Sequence, residues 1–240
     1  MGEGIGNDAA IMPWVSSANI ACGYHAGNEA IIQETISLCV KYNVAIGAHP
    51  GFDDKANFGR KAIQLSSLEL YELISVQLSL IDSASKKQNT LLRHAKVHGA
   101  LYNMAAVSKS ISLTIAQAVK DFNPSLIYYG LSGSEMILQA NAIGLITANE
   151  VFADRTYQPD GTLTPRIEKN ALIASEEESL NQVMQMIKYK TVATLSKEII
   201  PIQADTICLH GDGEHAVQFA KAINTKLKNE SISITSKTKA

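Results

Sequence analysis

Four segments that couple histidine with glycine close apolar, β-rich runs in this chain: Cys22-Gly23-Tyr24-His25-Ala26-Gly27, Gly47-Ala48-His49-Pro50-Gly51, Lys96-Val97-His98-Gly99 and His210-Gly211-Asp212-Gly213. Each is followed by residues that read as helix. A strand that ends in a turn and feeds a helix, over and over, calls for parallel pairing, because the helix returns the chain to begin the next strand in the same direction. Buried-strand patterns fall at 17–23, 44–49, 94–102, 125–130, 145–152 and 205–210, and helix-length amphipathic stretches separate them. In the stretch 29–42, Ile31, Ile32, Thr35, Ile36, Cys39 and Val40 form one stripe, and Ser66-Ser67-Leu68-Glu69 reads as a capping box that opens another helix. Further helical patterns cover 110–119, 134–142, 176–188 and 214–228. The expected class is therefore α/β, a parallel sheet covered by helices. It is either closed as a barrel or open and doubly wound.

Binding sites in both architectures gather at the carboxyl ends of the strands, where loops leave the sheet. The His-Gly segments belong there, so His25, His49, His98 and His210 are expected on one rim. His25, His49 and His98 could chelate a divalent ion such as Zn or Mn with Asp154 or Asp212, since imidazole and carboxylate suit such metals. The same side chains could instead move protons near neutral pH. Lys96 and His98 share a strand face. A lysine inside a buried strand needs a partner, either a barrel carboxylate or an anionic substrate or phosphate. Tyr102 and Asn103 continue from that strand end.

The segment from Glu150 to Tyr157 leaves a strand and enters a long loop, with a turn at Pro159-Asp160-Gly161 and a close at Pro165-Arg166. Arg155 and Arg166 there, and Arg60 in the glycine-bearing loop 51–60, are candidates to hold a carboxylate or phosphate. Glu3 and Asn19 join them as candidate substrate contacts. Cys22 beside His25 reads better as a buried thiol than as a nucleophile.

A net charge of −2, with no basic stripe, excludes a nucleic-acid partner from the expectations. Three cysteines without CxxC spacing, no secretory n-region and h-region, and a charge-free stretch 9–28 broken by Pro13, Asn19 and His25 point to a cytoplasmic protein outside the membrane. No linker or repeat divides the chain, so one domain is expected over 1–240, with a polar tail fraying from 229 to 240.

The segments SANIACGYHAG (17–27), VAIGAHPGF (44–52), KVHGALYNMAA (96–106), EVFADRTYQPDGTLTPR (150–166) and QADTICLHGDG (203–213), in this order, resemble the LamB/YcsF family. The resemblance runs to about Leu227. It implies a deacetylase-like (β/α) barrel of about seven parallel strands, and cleavage of 5-oxo-L-proline to L-glutamate coupled to ATP hydrolysis. Members with that activity are A subunits that work with B and C subunits, ATP being taken with Mg. Family members open on a strand ending in Asn-Cys-Asp-x-Gly-Glu. This chain begins at Met1-Gly2-Glu3, as though the first strand and its aspartate were missing. Val97 also stands where the family has proline. On this reading His25, His49, Lys96, His98, Asp154, His210 and Asp212 are catalytic candidates. A lactam attacked after phosphorylation needs cations near the phosphate, a base, and donors to the carboxylate, and these residues with Arg60 are of the right types. A metal-dependent deacetylase or amidohydrolase, and a regulatory, non-catalytic component of the complex, are the competing expectations.

Overall fold

Local signals start the helices where the sequence places them. Asn28 caps the first long helix by accepting from Ile31 N at 3.0 Å, and Ser66 and Glu69 form the reciprocal capping box at the start of the next. The computed structural model describes residues 1–213 and 215–236. Their order is α1 (Asp8–Ile11), a 3-10 turn (Met12–Trp14), β1 (Ser17–Ala21), α2 (Glu29–Tyr42), β2 (Ala45–His49), α3 (Ser67–Lys87), β3 (Leu92–Ala95), α4 (Gly99–Val107) and α5 (Lys109–Phe122). The second half runs β4 (Ile127–Leu131), α6 (Glu135–Ala142), β5 (Ile146–Phe152), α7 (Glu176–Tyr189), β6 (Thr191–Ala193), β7 (Ile199–Pro201), β8 (Thr206–Cys208) and α8 (Ala216–Asn229).

Six strands pair in parallel in the order β1-β2-β3-β4-β5-β8, and the helices wrap them into a half-barrel. β6 and β7 form a separate antiparallel hairpin. Among the described residues β1 and β8 bound the sheet and do not pair with each other, and the six parallel strands agree in number with the six strand patterns of the sequence. Met1 lies along the outer edge of β1: its amine donates to Asn19 O at 2.9 Å, and its carbonyl accepts from Ala21 N at 2.9 Å.

The strand expected over 94–102 is corrected. β3 stops at Ala95, residues 96–98 belong to no strand, and a helix begins at Gly99. That helix, GALYNMAAV, is apolar nearly all round, so it lacks the 3.6-residue alternation that would have separated it from a buried strand. The short α1 and the β6–β7 hairpin were not expected either. Glu214, where the last helix was expected to begin, lies outside the described residues. Beyond α8, Ile232 and Ile234 lean on the main core while Ser231, Ser233 and Thr235 stay exposed. No described helix is long and apolar enough to cross a membrane.

Candidate active site

The carboxyl ends of the six strands surround a cavity of about 730 Å³, within the range of small-molecule sites. Polar side chains on and behind its wall sit in three levels.

The deepest level belongs to His94 on β3. A Cβ at Gly47 would stand 2.0 Å from its Nε2, so only glycine on β2 admits the ring. His94 Nε2 meets Asn19 Oδ1 at 3.0 Å, and the ring stacks on Tyr129 with centroids 4.3 Å apart. Burial first, and then the charge on Lys96, pulls His94 down to about 3.

Above it lies a buried ionic cluster. Lys96 Nζ is 2.6 Å from Glu150 Oε1, and Tyr102 donates to Glu150 Oε2 at 2.8 Å. Lys96 also donates to Cys208 Sγ at 3.1 Å and sits 4.9 Å from the Phe152 ring centroid. Burial acts to lower the Lys96 ammonium, yet its partners hold it above the ordinary lysine value. Burial pushes the Cys208 thiol up to about 12, and the ion pair of Lys96 is the one with Glu150. One of the partners foreseen for this lysine, a barrel carboxylate, is in contact with it.

At the same height three imidazoles pack together. His25 and His98 stack face to face, with centroids 3.8 Å apart and planes 6° apart, and His49 meets His98 edge-on at 4.8 Å. The loop carrying Gly59 makes room for them: Gly59 has φ +63°, and a Cβ there would come within 2.8 Å of His25 Cβ. Gln77, fully buried in α3, fixes the other wall, accepting from Gly51 N at 3.0 Å and donating to Gly51 O at 2.8 Å. Burial, with no acid in compensation, pulls His25 down to about 3 and His98 to about 2, and His49 lies well below its usual value.

The outermost level is charged. Asp154 accepts from His210 Nδ1 at 2.9 Å and from His210 N at 3.0 Å, which leaves Nε2 of that ring as its second polar atom. Burial raises the Asp154 carboxyl, but the His210 contacts outweigh it and hold the group below its ordinary value. Arg60 pairs with Asp212, whose carboxyl is likewise held low by Arg60 against the pull of burial. Arg166 lines the same mouth. Burial, and after it the neighbouring Arg60 charge, lowers its guanidinium.

His49, His98 and His210 thus line one cavity, as do Glu3, Asn19, Arg60, Lys96, Tyr102, Asn103, Arg155, Arg166 and Asp212. His25 does not line it but lies buried behind His98. It also drops out of the expected metal set, because lone pairs in the planes of two stacked rings run parallel and cannot converge on one ion. The grouping close enough to share an ion is Glu3, His49 and His98, with donor atoms within 4.8 Å of one another. Asp154 stands behind His210 as its partner rather than on the cavity wall. Arg155 lines the cavity, but its guanidinium donates to Ala171 O and Thr164 O, so it braces the long loop. Glu150, His94 and Gln77 were missed by sequence reasoning. The need of Lys96 for a counter-charge was the one signal that pointed to Glu150.

The model of the LamB/YcsF family matches residues 1–240. A protein of Oceanobacillus iheyensis, named as the A subunit of 5-oxoprolinase, is 49% identical over 230 residues, covering 96% of this chain and 90% of that protein. Its namesake in Brevibacillus brevis is 47% identical, covering 96% and 91%. The crystal structure of the lactam utilization protein from Thermus thermophilus superposes with a TM-score of 0.90 at 35% identity, covering 96% of this chain and 92% of that one.

Proposed function

The chain belongs to the LamB/YcsF family, and from that premise we propose that it is the A subunit of an ATP-dependent 5-oxoprolinase, opening 5-oxo-L-proline to L-glutamate together with B and C subunits. The observation that carries this reading is the Asp154–His210 pair at the mouth of a cavity flanked by Arg60 and Arg166. An unstrained lactam resists water because its nitrogen donates into the carbonyl. ATP, taken with Mg as a substrate, supplies the activation: the lactam oxygen bonds to the γ-phosphorus and ADP leaves.

The residues of this chain then do the rest. His210 Nε2 takes the proton of a water that adds to the activated carbon, while Asp154 holds the ring's orientation through Nδ1. The C–N bond breaks, His210 returns the proton to the departing nitrogen, and an acyl phosphate remains. A second water hydrolyses it to glutamate and phosphate. Arg166 and Arg60 meet the substrate carboxylate and the phosphoryl oxygens. Lys96, already paired to Glu150, shapes the floor. We place the reaction in the cytoplasm, where ATP is at hand and free thiols such as Cys22, Cys39 and Cys208 persist.

The test is phosphate release dependent on 5-oxoproline, measured with the chain alone and with its B and C partners. Turnover only in the complex and only with ATP supports the reading. The Glu3, His49 and His98 grouping favours one rival, a metal-dependent amidohydrolase. Amide hydrolysis by the chain alone, without ATP, would decide for that rival.

A further inference from the structure

His49 and His98 face each other through the wrong atoms for a hydrogen bond between neutral rings. His49 Nδ1 lies 2.7 Å from the carbonyl oxygen of Lys96, and His98 Nε2 lies 2.8 Å from that of Phe58. A carbonyl oxygen only accepts, so each of these nitrogens carries a proton. The second nitrogen of a neutral imidazole then presents a bare lone pair. Those second nitrogens, His49 Nε2 and His98 Nδ1, stand 3.1 Å apart. The contact has two acceptors and no donor, and a cation between them satisfies both.

The surroundings fit an ion. Two nitrogens at metal-bond distances of ~2.0–2.1 Å stand roughly 3.3 Å apart at a tetrahedral angle and roughly 2.9 Å apart at a right angle, so 3.1 Å falls between the two geometries. Glu3, His49 and His98 each offer a ligand atom, and these three atoms lie within 4.8 Å of one another, which makes a set of two imidazoles and one carboxylate. The Met1 amine pairs with Glu3 Oε2 at 4.0 Å, a long contact, and donates its hydrogen bond to Asn19 O at 2.9 Å. Backbone carbonyls on the remote nitrogen of each ring are the outer contacts that fix tautomer and aim in histidine metal sites. All three residues line the cavity, so further coordination positions open onto it.

We propose that His49 Nε2, His98 Nδ1 and the Glu3 carboxylate bind one divalent transition-metal ion of the zinc or manganese class, with its open positions toward the cavity. This site stands on ring geometry and does not depend on the lactam reading, so its test reads metal rather than turnover.

The full chain, stripped with a chelator and dialysed, is titrated with Zn²⁺ and separately with Mn²⁺ by calorimetry. Cobalt substitution adds a ligand-field spectrum that reports nitrogen ligation in the unmutated protein. The expected result is one equivalent bound, at least 100-fold weaker binding in His49→Ala and roughly 10- to 100-fold weaker binding in Glu3→Gln. Circular dichroism checks that each variant is folded, and His210→Asn is expected to bind as tightly as the parent. Absence of stoichiometric binding by the unmutated chain would overturn the proposal, whichever variants fold. So would a cobalt spectrum without nitrogen ligation, affinity unchanged in folded Glu3→Gln, or affinity lost in His210→Asn. Nitrogen NMR showing one proton shared between His49 and His98, unmoved by either metal, would overturn it too.

Discussion

The histidines at the carboxyl ends of β1, β2 and β3 and the one that follows β8 come from similar His-Gly segments, yet they live in opposite electrostatic company. His25, His49 and His98 are buried against one another, with no acid in hydrogen-bond contact among the described residues, so burial first and then neighbouring positive charge favour their neutral forms. His210 sits at the mouth with a carboxylate on its Nδ1. The first arrangement makes lone-pair donors. The second makes a ring oriented by a carboxylate on its Nδ1, with Nε2 left as the atom that can work as a base. One residue type thus serves two chemistries, and the neighbours decide which.

The sharpest way to break this contrast is at the mouth. His210→Asn in the complete three-component enzyme is expected to lower kcat by on the order of 10²–10⁴-fold, with little change in the urea midpoint. A rate within a few-fold of the parent would remove His210 from the chemistry.

Deeper in, the expected effect moves from rate to stability. Glu150→Ala leaves Lys96 buried without its counter-charge and is expected to cost about 3–5 kcal/mol in urea unfolding, whereas the double change Lys96→Met with Glu150→Leu should cost far less. Equal losses in the two proteins would mean that the pair is not the desolvated contact described here.

Acid sharpens the comparison further. Burial pulls His25 and His94 each to about 3 from an ordinary value of 6.5, so the unfolded chain takes up protons that the fold refuses. Their contribution is fully present above about pH 6.5 and is lost as pH falls toward 3, at up to about 1.4 kcal/mol per pH unit per ring. Urea midpoints at pH 7, 6 and 5 should fall accordingly. A profile flat over that range would show that these rings protonate in the folded state.

The smallest effect belongs to the exposed pair. Arg60→Ala is expected to change stability by only about 0–1 kcal/mol, because water screens its contact with Asp212, while raising the KM for 5-oxoproline in the complex. A large loss of stability with KM unchanged would recast Arg60 as structural.

Much of the frame was legible because it is local. The helix at Glu29–Tyr42 was expected with those same bounds, since an amphipathic stripe is written within it. The Ser66 capping box needs only four residues in a row. Where the local signal is silent the reading failed: Gly99–Val107 looks alike as buried strand or buried helix, because both of its faces are apolar. The site was legible as a set of residue types at strand ends, but their pairing was not. Arg155 and Arg166 stand in one loop and look equivalent in the chain, yet Arg155 is spent on two backbone carbonyls and Arg166 lines the mouth.

By itself, then, the sequence determined the alternation of strands and helices, the parallel sense of the sheet, and the delivery of histidines to its carboxyl end, since these follow from periodicity, caps and turns within reach of a few residues. Only the tertiary structure decided that Lys96 meets Glu150, that His25 stacks flat behind His98, and that His49 and His98 turn their bare nitrogens toward each other beside Glu3. Those partners lie 54, 73 and 49 positions apart in the chain, and imidazole chemistry depends on the tautomer that a distant carbonyl selects, so no reading of neighbours along the chain could have assigned it.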